Sequence, residues 1–452
     1  MSKKGPPGLT AQIKDKLIQQ ALERRLRQTE QVNETLPPVI NKTDNRSNIP
    51  EHFYRFNQHP GYQQISLMNE GAIRMGIRNP FFKLHEGSAG ATTKIDGKSY
   101  INYASYNYLG LSGHPETNQA AKNAIDHYGT SVSASRLVSG ERPIHRELEE
   151  AIATLYDVDE AVVLVSGHAT NVTTIGHLFG PNDLIIHDEL VHNSILQGIL
   201  LSGAKRLSFP HNDSGAIDSL LTEQRQHFER VLIVVEGIYS MDGDYPNLPL
   251  FVDLKHKHKT FLMVDEAHSF GVMGHTGLGI RQHFNLKGSD VDIWMGTLSK
   301  SLASCGGYIA GERALIEHLK FLAPGFLYSV GMPPPTAAAA LAALNILQKE
   351  PERVTQLQKQ GLLFLKRATA LGINTGTSTG LAIIPAIVGS SIKAVRLSTQ
   401  LFDKGINVQP ILYPAVQEKA ARLRFFISCE HTDEQIEHTL TILAEESKRL
   451  EN

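Results

Sequence analysis

The sequence predicts an α/β fold in which a large, doubly wound, mostly parallel sheet domain precedes a smaller C-terminal α+β domain. Three observations carry this expectation. Apolar runs of strand length, such as 161–165, 231–235 and 261–264, alternate with helical segments as far as Gly311, the pattern of parallel strands joined by crossover helices. Polar residues gather at the carboxyl ends of these runs, the edge at which open α/β sheets take up ligands. From Thr336 the pattern changes to an Ala-rich helix, a further helix to about Leu371, and short strands around 383–388, 407–412 and 424–428.

Taken in order, residues 10–31 have helical spacing, with Ile13, Leu17, Leu22 and Leu26 roughly along one face, and 33–50 reads as a linker. The extension is read as a solvated tail, with a docking segment for a carrier protein as the sharper alternative. A second helical stretch covers 61–75 and leads towards Asn102-Tyr103-Ala104-Ser105-Tyr106-Asn107-Tyr108-Leu109-Gly110. From residue types alone, Asn107 there is a turn residue before a helix. In 129–149, small and hydroxyl residues around Arg136 point to a tight, anion-tolerant loop leading into a helix, or else to an arginine kept for a structural ion pair.

The strand at 161–165 runs into Ser166-Gly167-His168-Ala169-Thr170-Asn171. A glycine turn at a helix amino terminus offers unpaired N–H groups and a favourable dipole to a phosphate. The next strand and loop hold His187, Glu189 and His192, whose spacing matches no zinc signature, so no metal is expected. At 231–244 another strand ends in polar residues that include Glu236 and Ser240, while Asp242 and Gly243 read as a turn.

The chemistry centres on 292–307. A short apolar strand runs into a turn that presents the hydroxyl of Thr297 and the amine of Lys300, and small residues follow, ending in Gly306 and Gly307. Glycines there let backbone approach a bulky group without a Cβ in the way. A covalently held phosphorylated aldehyde needs such an amine, partly desolvated so that it stays nucleophilic. Upstream, 261–264 ends in Asp265-Glu266-Ala267-His268. A carboxylate in that place can keep a pyridine nitrogen protonated while His268 reaches a phenolic oxygen of the same ring. Asp-Glu-Ala-His is also a nucleotide-hydrolase string, but that chemistry needs Gly-x-x-x-x-Gly-Lys-Ser/Thr, which does not occur in the chain.

Asp265-x-x-His268 followed by Thr297-x-x-Lys300 resembles the α-oxoamine synthases, pyridoxal-phosphate enzymes of fold type I that include aminolevulinate synthase, 8-amino-7-oxononanoate synthase, 2-amino-3-ketobutyrate CoA ligase and serine palmitoyltransferase. The resemblance runs from about residue 80 to the end and keeps several motifs in order. It implies pyridoxal 5'-phosphate on Lys300, with Asp265 at the ring nitrogen, His192 stacked on the ring, Ser240 and His268 at its phenolic oxygen, backbone of Gly167 and His168 at its phosphate, and Thr297 as a further contact. Position 168 departs from the family, where an aromatic residue is common. Ser329 and Gly331 are implied to reach across a dimer interface to the neighbour's phosphate, although many members carry a second hydroxyl where this chain has Gly331.

Substrate contacts are implied for Asn107, Arg136, Glu236 and Arg424, the last clamping the amino acid's carboxylate, with Arg422 as the fallback on the same side of the strand. The implied catalytic set is Lys300, His192, Asp265, His268 and Arg424. The implied organisation is an extension and linker at 1–60, an N-terminal segment at 61–110, a large cofactor-binding domain at 111–332 and a small C-terminal domain at 333–452. The implied reaction is a decarboxylative, Claisen-type condensation of an amino acid with an acyl thioester, on CoA or an acyl-carrier protein, to give an α-amino ketone. The implied assembly is a homodimer with its active site at the interface. The Ser166–Asn171 and Ser304–Gly307 strings and the extension resemble synthases of polyketide or secondary metabolism. Two rivals stand beside this reading: another fold-type-I enzyme, such as an aminotransferase or amino-acid decarboxylase, and a non-catalytic partner subunit, against which Lys300 itself counts.

Composition sets outer bounds. A chain of 452 residues has room for two domains. The formal charge of −2, with signs mixed along the chain, gives no electrostatic reason for a nucleic-acid partner. Two cysteines, Cys305 and Cys429, form no disulfide framework and point to a reducing cytoplasm. No apolar run approaches the roughly 18–20 residues of a membrane span, and no apolar region of a signal peptide follows the first residues.

Overall fold

The computed structural model describes residues 49–74 and 76–451. The helical pattern read at 10–31 and all but the end of the linker read at 33–50 lie outside the described residues. The chain divides into two compact units, 1–76 and 77–452. In the first, the short turns Glu51–Phe53 and Phe56–Gln58 precede the helix Pro60–Arg74, on which Tyr62, Ile65, Leu67 and Met68 are exposed.

The second unit is built on thirteen strands: β1 (Thr92–Ile95), β2 (Lys98–Asn102), β3 (Glu160–Leu164), β4 (Leu184–Asp188), β5 (Lys205–Phe209), β6 (Val231–Glu236), β7 (Phe261–Asp265), β8 (Ile293–Thr297), β9 (Gly307–Gly311), β10 (Ile383–Ile387), β11 (Ile406–Asn407), β12 (Gln409–Ile411) and β13 (Arg422–Phe426). Seven of them form the main sheet in the order β3-β9-β8-β7-β6-β4-β5. Strands β4 and β6 are buried throughout, and such strands read as unbroken Val/Ile/Leu runs because neither face meets water. Their residues alternate between two cores: Leu184, Ile186, Val231, Ile233 and Val235 face one, while Ile185, Leu232 and Val234 face the other. Helices Gly167–Leu178, Asn193–Ser202 and Arg313–Leu322 cover the second core through Ile175, Ile195, Ile199 and Leu319. Helices on both faces make the sheet doubly wound, as the alternation predicts.

Strand β9 runs antiparallel to both β3 and β8. The turn at 298–306 is too short for a crossover helix, so the chain returns beside β8 in reverse. The strand read at 407–412 is also divided: β11 pairs in parallel with β2, and β12 pairs antiparallel with β13. In this way the β1–β2 hairpin joins the C-terminal segment, a pairing the apolar pattern does not announce. β13 is the centre of the third sheet, between β10 and β12.

A charged clasp ties the edge of β4 to the 374–380 loop. His211 lies 3.0 Å from Asp188 through Nδ1 and 3.0 Å from Asp244 through Nε2, and Thr377 donates to Asp244 at 2.7 Å. Burial opposes a charge on His211, but its two carboxylates outweigh that and push it up to about 10. The raised value means that the clasp contributes fully below the unfolded imidazole's pKa near 6.5 and is lost as pH rises towards 10. Urea unfolding of wild type should therefore show stability falling across this window. His211→Ala should lose on the order of 3 kcal/mol near neutral pH and flatten the slope.

Candidate active site

Strands β6, β7 and β8 end side by side, with Glu236 opposite Asp265 and Asp265 opposite Met295. One cavity of about 330 Å3 at this edge gathers Gly167, His168, His192, Glu236, Ser240, Asp265, His268, Thr297, Lys300 and Arg424. Asp265 is held through both oxygens: Ala267 N–H donates to Oδ1 at 2.9 Å and Asn171 Nδ2 donates to Oδ2 at 2.8 Å. The same Nδ2 donates to Ser194 Oγ at 2.9 Å, and that hydroxyl lies 2.7 Å from His192 Nδ1. His192 caps the helix Asn193–Ser202, and its backbone N–H donates to Glu236 Oε1 at 2.5 Å. A continuous polar chain thus orients the Asp265 carboxylate and the His192 ring together.

Burial sets the charges here. It pulls His192 below the usual imidazole value, with Asp265 opposing and Lys300 assisting. It pushes Glu236 well above the ordinary carboxylate range, and nearby Asp265 adds to the effect. It pulls Lys300 down to about 8 against the pull of Asp265 and Glu236, so a useful fraction is free amine near neutral pH. His268 is held well below its usual value by burial and by Lys300.

Thr297 Oγ1 donates to Gly306 O at 3.0 Å and accepts from Ser299 N at 3.2 Å. A Cβ on Gly167 would stand 2.9 Å from that hydroxyl, so glycine lets the helix begin this close to the turn. Ser166 caps the helix Gly167–Leu178 through Ala169 N, leaving the first N–H groups of the helix free for an anion. On β13, Arg424 donates through Nη1 to Ser240 O at 3.0 Å, its guanidinium stands over the Phe426 ring at 4.6 Å, and its Nε is buried without a partner among the described residues. Arg422, two residues earlier, is spent on Ala420 O, Met241 O and the Asp242 carboxylate.

Four sequence-read residues lie outside this cavity. Arg136 donates to Glu149 at 2.5 Å and Glu141 at 2.6 Å, with Lys320 also on Glu149. These contacts match the ion-pair alternative, and the structure does not bring Arg136 to Lys300. Ser329 Oγ donates to Val330 O, and Gly331 N–H donates to Ala134 O beside Arg136. Asn107 donates to Ala89 O at 2.6 Å and accepts from Ser112 N at 3.0 Å. It lines a second cavity of about 350 Å3, which shares Tyr106, Ser299 and Lys300 with the first. Sequence reasoning missed Asn171, Ser194 and Tyr108. The available signal for Asn171 was its place one helical turn after Gly167, on the same face. Among the described residues no three His, Cys, Asp or Glu side chains are grouped to hold a metal ion.

The chain supplies a partly desolvated amine, a carboxylate fixed at both oxygens, a neutral imidazole and a helix start closed to any side chain but hydrogen. These suit, in turn, the aldehyde, ring nitrogen, ring face and phosphate of pyridoxal phosphate. Buried Arg424 Nε and Asn171 Oδ1, both without partners among the described residues, leave polar capacity unspent at the cavity. Fold and site define a pyridoxal-phosphate enzyme of fold type I.

The family profile of aminotransferases of class I and II matches residues 98–443. The 8-amino-7-oxononanoate synthase of Fervidobacterium nodosum is 41% identical over 378 residues, 83% of this chain and 94% of that protein. That of Symbiobacterium thermophilum is 41% identical over 356 residues, 79% of this chain and 90% of its own. Among solved structures, the Sphingomonas wittichii serine palmitoyltransferase is similar with a TM-score of 0.82 and 28% identity, covering 86% of this chain and 98% of that one. The chain belongs to the α-oxoamine synthase family and is a pyridoxal-phosphate-dependent acyltransferase.

Proposed function

We propose that the chain condenses an amino acid with an acyl thioester, with loss of carbon dioxide and release of the free thiol of CoA or the carrier, to give an α-amino ketone. The observation that carries this reading is the position of Lys300 at the junction of two cavities. The first holds the groups suited to cofactor and amino acid. The second has small walls, among them Ala89, Ala104, Ser105, Ser112 and Ala303, and gives an acyl donor a way to the reacting carbon.

Pyridoxal phosphate, when bound, supplies the electron sink for the bond that breaks at the substrate's Cα. Asp265 would hold the proton of the cofactor's ring nitrogen. Arg424 would anchor the substrate carboxylate through its unpartnered edge, and Lys300 Nζ, as free amine, would take the Cα proton. His192 would cover the ring face and His268 would donate a hydrogen bond to negative charge on oxygen. Glu236, whose carboxyl burial pushes well above the ordinary range, would order the substrate beside His192.

The donor arrives on CoA or a carrier protein, and the link to secondary metabolism rests on the extension and the two motif strings. We further propose a homodimer. Leu137, Val138, Phe321, Tyr328 and Val330 are exposed apolar side chains around the segment that carries Ser329 and Gly331, which would meet the neighbour's phosphate. Both cysteines are free thiols, which supports a reducing cytoplasm. We also propose a large cofactor-binding domain at 111–332 and a small C-terminal domain at 333–452.

The test mixes cofactor-loaded protein with each common amino acid while following the cofactor's visible band, then adds acyl-CoA or acyl-carrier donors to any responder and weighs the product. The expected product is the sum of both acyl and amino-acid parts less carbon dioxide. An exchanged amino group on an intact skeleton would instead mark an aminotransferase. Arg424→Ala should raise KM for the amino acid by about 100-fold, since truncating one partner of a buried charge pair costs roughly 2–3 kcal/mol, while the visible band persists.

A further inference from the structure

Tyr108 and His268 form a buried pair that the roles above leave unexplained. The Tyr108 hydroxyl lies 2.8 Å from His268 Nδ1. Phe426 lies parallel to the imidazole, with ring centroids 6.4 Å apart and planes within 6°, and Tyr106 meets it edge-on at 6.0 Å. The ring is therefore walled on several sides.

Only one arrangement of protons satisfies both groups. A neutral imidazole carries one N–H and one bare nitrogen, and a phenol carries one proton to donate. If Nδ1 donated, the Tyr108 proton would need another acceptor, and none stands within hydrogen-bond distance among the described residues. A fully buried hydroxyl without an acceptor is costly. The phenol therefore donates to Nδ1, and the imidazole proton sits on Nε2, the nitrogen left to the cavity that His268 lines. Burial holds Tyr108 well above its usual value. Burial, with Lys300, Arg424 and His192 facing the ring, holds His268 well below its own. Both stay neutral across the working range.

We propose that Tyr108 is a positioning residue that fixes His268 as a neutral Nε2–H donor aimed at the cofactor's phenolic oxygen. This rests on reading the Lys300 cavity as the cofactor site. A fixed donor stabilises negative charge on that oxygen, so it lowers the pH at which the bound cofactor's visible chromophore loses its proton. Without Tyr108 the ring can shift its proton to Nδ1 and present a bare nitrogen to the same oxygen.

The experiment compares wild type and Tyr108→Phe, both loaded with pyridoxal phosphate, by pH titration of the visible band and by kcat and KM. The variant should titrate about one pH unit higher, and its kcat should fall about 10-fold, on the order of the low end of what removing the hydrogen-bond partner of a metal-bound histidine costs, with KM for the amino acid within about twofold. An unchanged titration midpoint with unchanged kcat overturns the proposal. Absence of any band in loaded wild type strikes the cofactor reading instead. Should Tyr108→Phe fail to fold, nitrogen-15 NMR of histidine-labelled wild-type apoprotein decides, with the His268 signals assigned through His268→Gln. A proton on Nε2 is the expected result, and a proton on Nδ1 overturns the proposal.

Discussion

Lys300→Ala abolishes turnover: kcat falls by at least about 10^4-fold, because one side chain is asked both to hold the aldehyde and to move the Cα proton. No neighbour can replace it. His192 and His268 are weakened as bases by burial, and burial pushes the Glu236 carboxyl well above its ordinary range, so it gives up its proton less readily than a free carboxyl. The position of the lysine also sets a pH dependence. With its amine drawn down to about 8, capture of pyridoxal phosphate by the apoprotein should accelerate through a midpoint near 8, well below that of an exposed lysine. Stopped-flow absorbance of wild-type apoprotein checks the midpoint, and a multiple-turnover assay of Lys300→Ala checks the loss. Persistent turnover by the variant would remove Lys300 from its role.

Asp265→Ala is expected to cost about 10^3-fold in kcat, the scale on which a preorganised electrostatic partner acts in a closed site. The charge of Asp265 supports the ring nitrogen's proton and also opposes the depression of Lys300. Its removal therefore has a second signature: the capture midpoint moves below the wild-type value near 8. Asp265→Asn keeps the size of the side chain and removes the charge, so it should reproduce both effects. A variant that loses activity while keeping the wild-type capture midpoint would show that Asp265 acts by shape rather than charge.

Strands β4 and β6 were legible in the sequence because burial on both faces demands a continuous apolar run. Lys300, Asp265 and His268 were legible because their motifs stand at the ends of such strands. The reversal of β9 and the division of 407–412 between two sheets depend on pairing partners, which the apolar pattern does not specify. Asn171 illustrates a different limit. It reaches Asp265 across 94 residues and Ser194 across 23, so its place one turn after Gly167 marks the face of the helix but not these partners. Arg136 carried the right charge for a substrate anion, but Glu141 and Glu149 stand in reach of it, and spacing alone does not rank a buried carboxylate above a ligand. Ser329 and Gly331 belong to the proposed contact with a second copy, which one chain's pattern does not contain.

In the proposed reaction, carbon–carbon bond formation and decarboxylation are coupled at Lys300. The measurement that tests it most directly uses the responding amino acid labelled in its carboxyl carbon, with labelled carbon dioxide counted in the presence and absence of the acyl thioester. One carbon dioxide is expected per molecule of amino ketone, and none above background without the donor. Release without the donor, or a product that retains the label, would contradict this coupling.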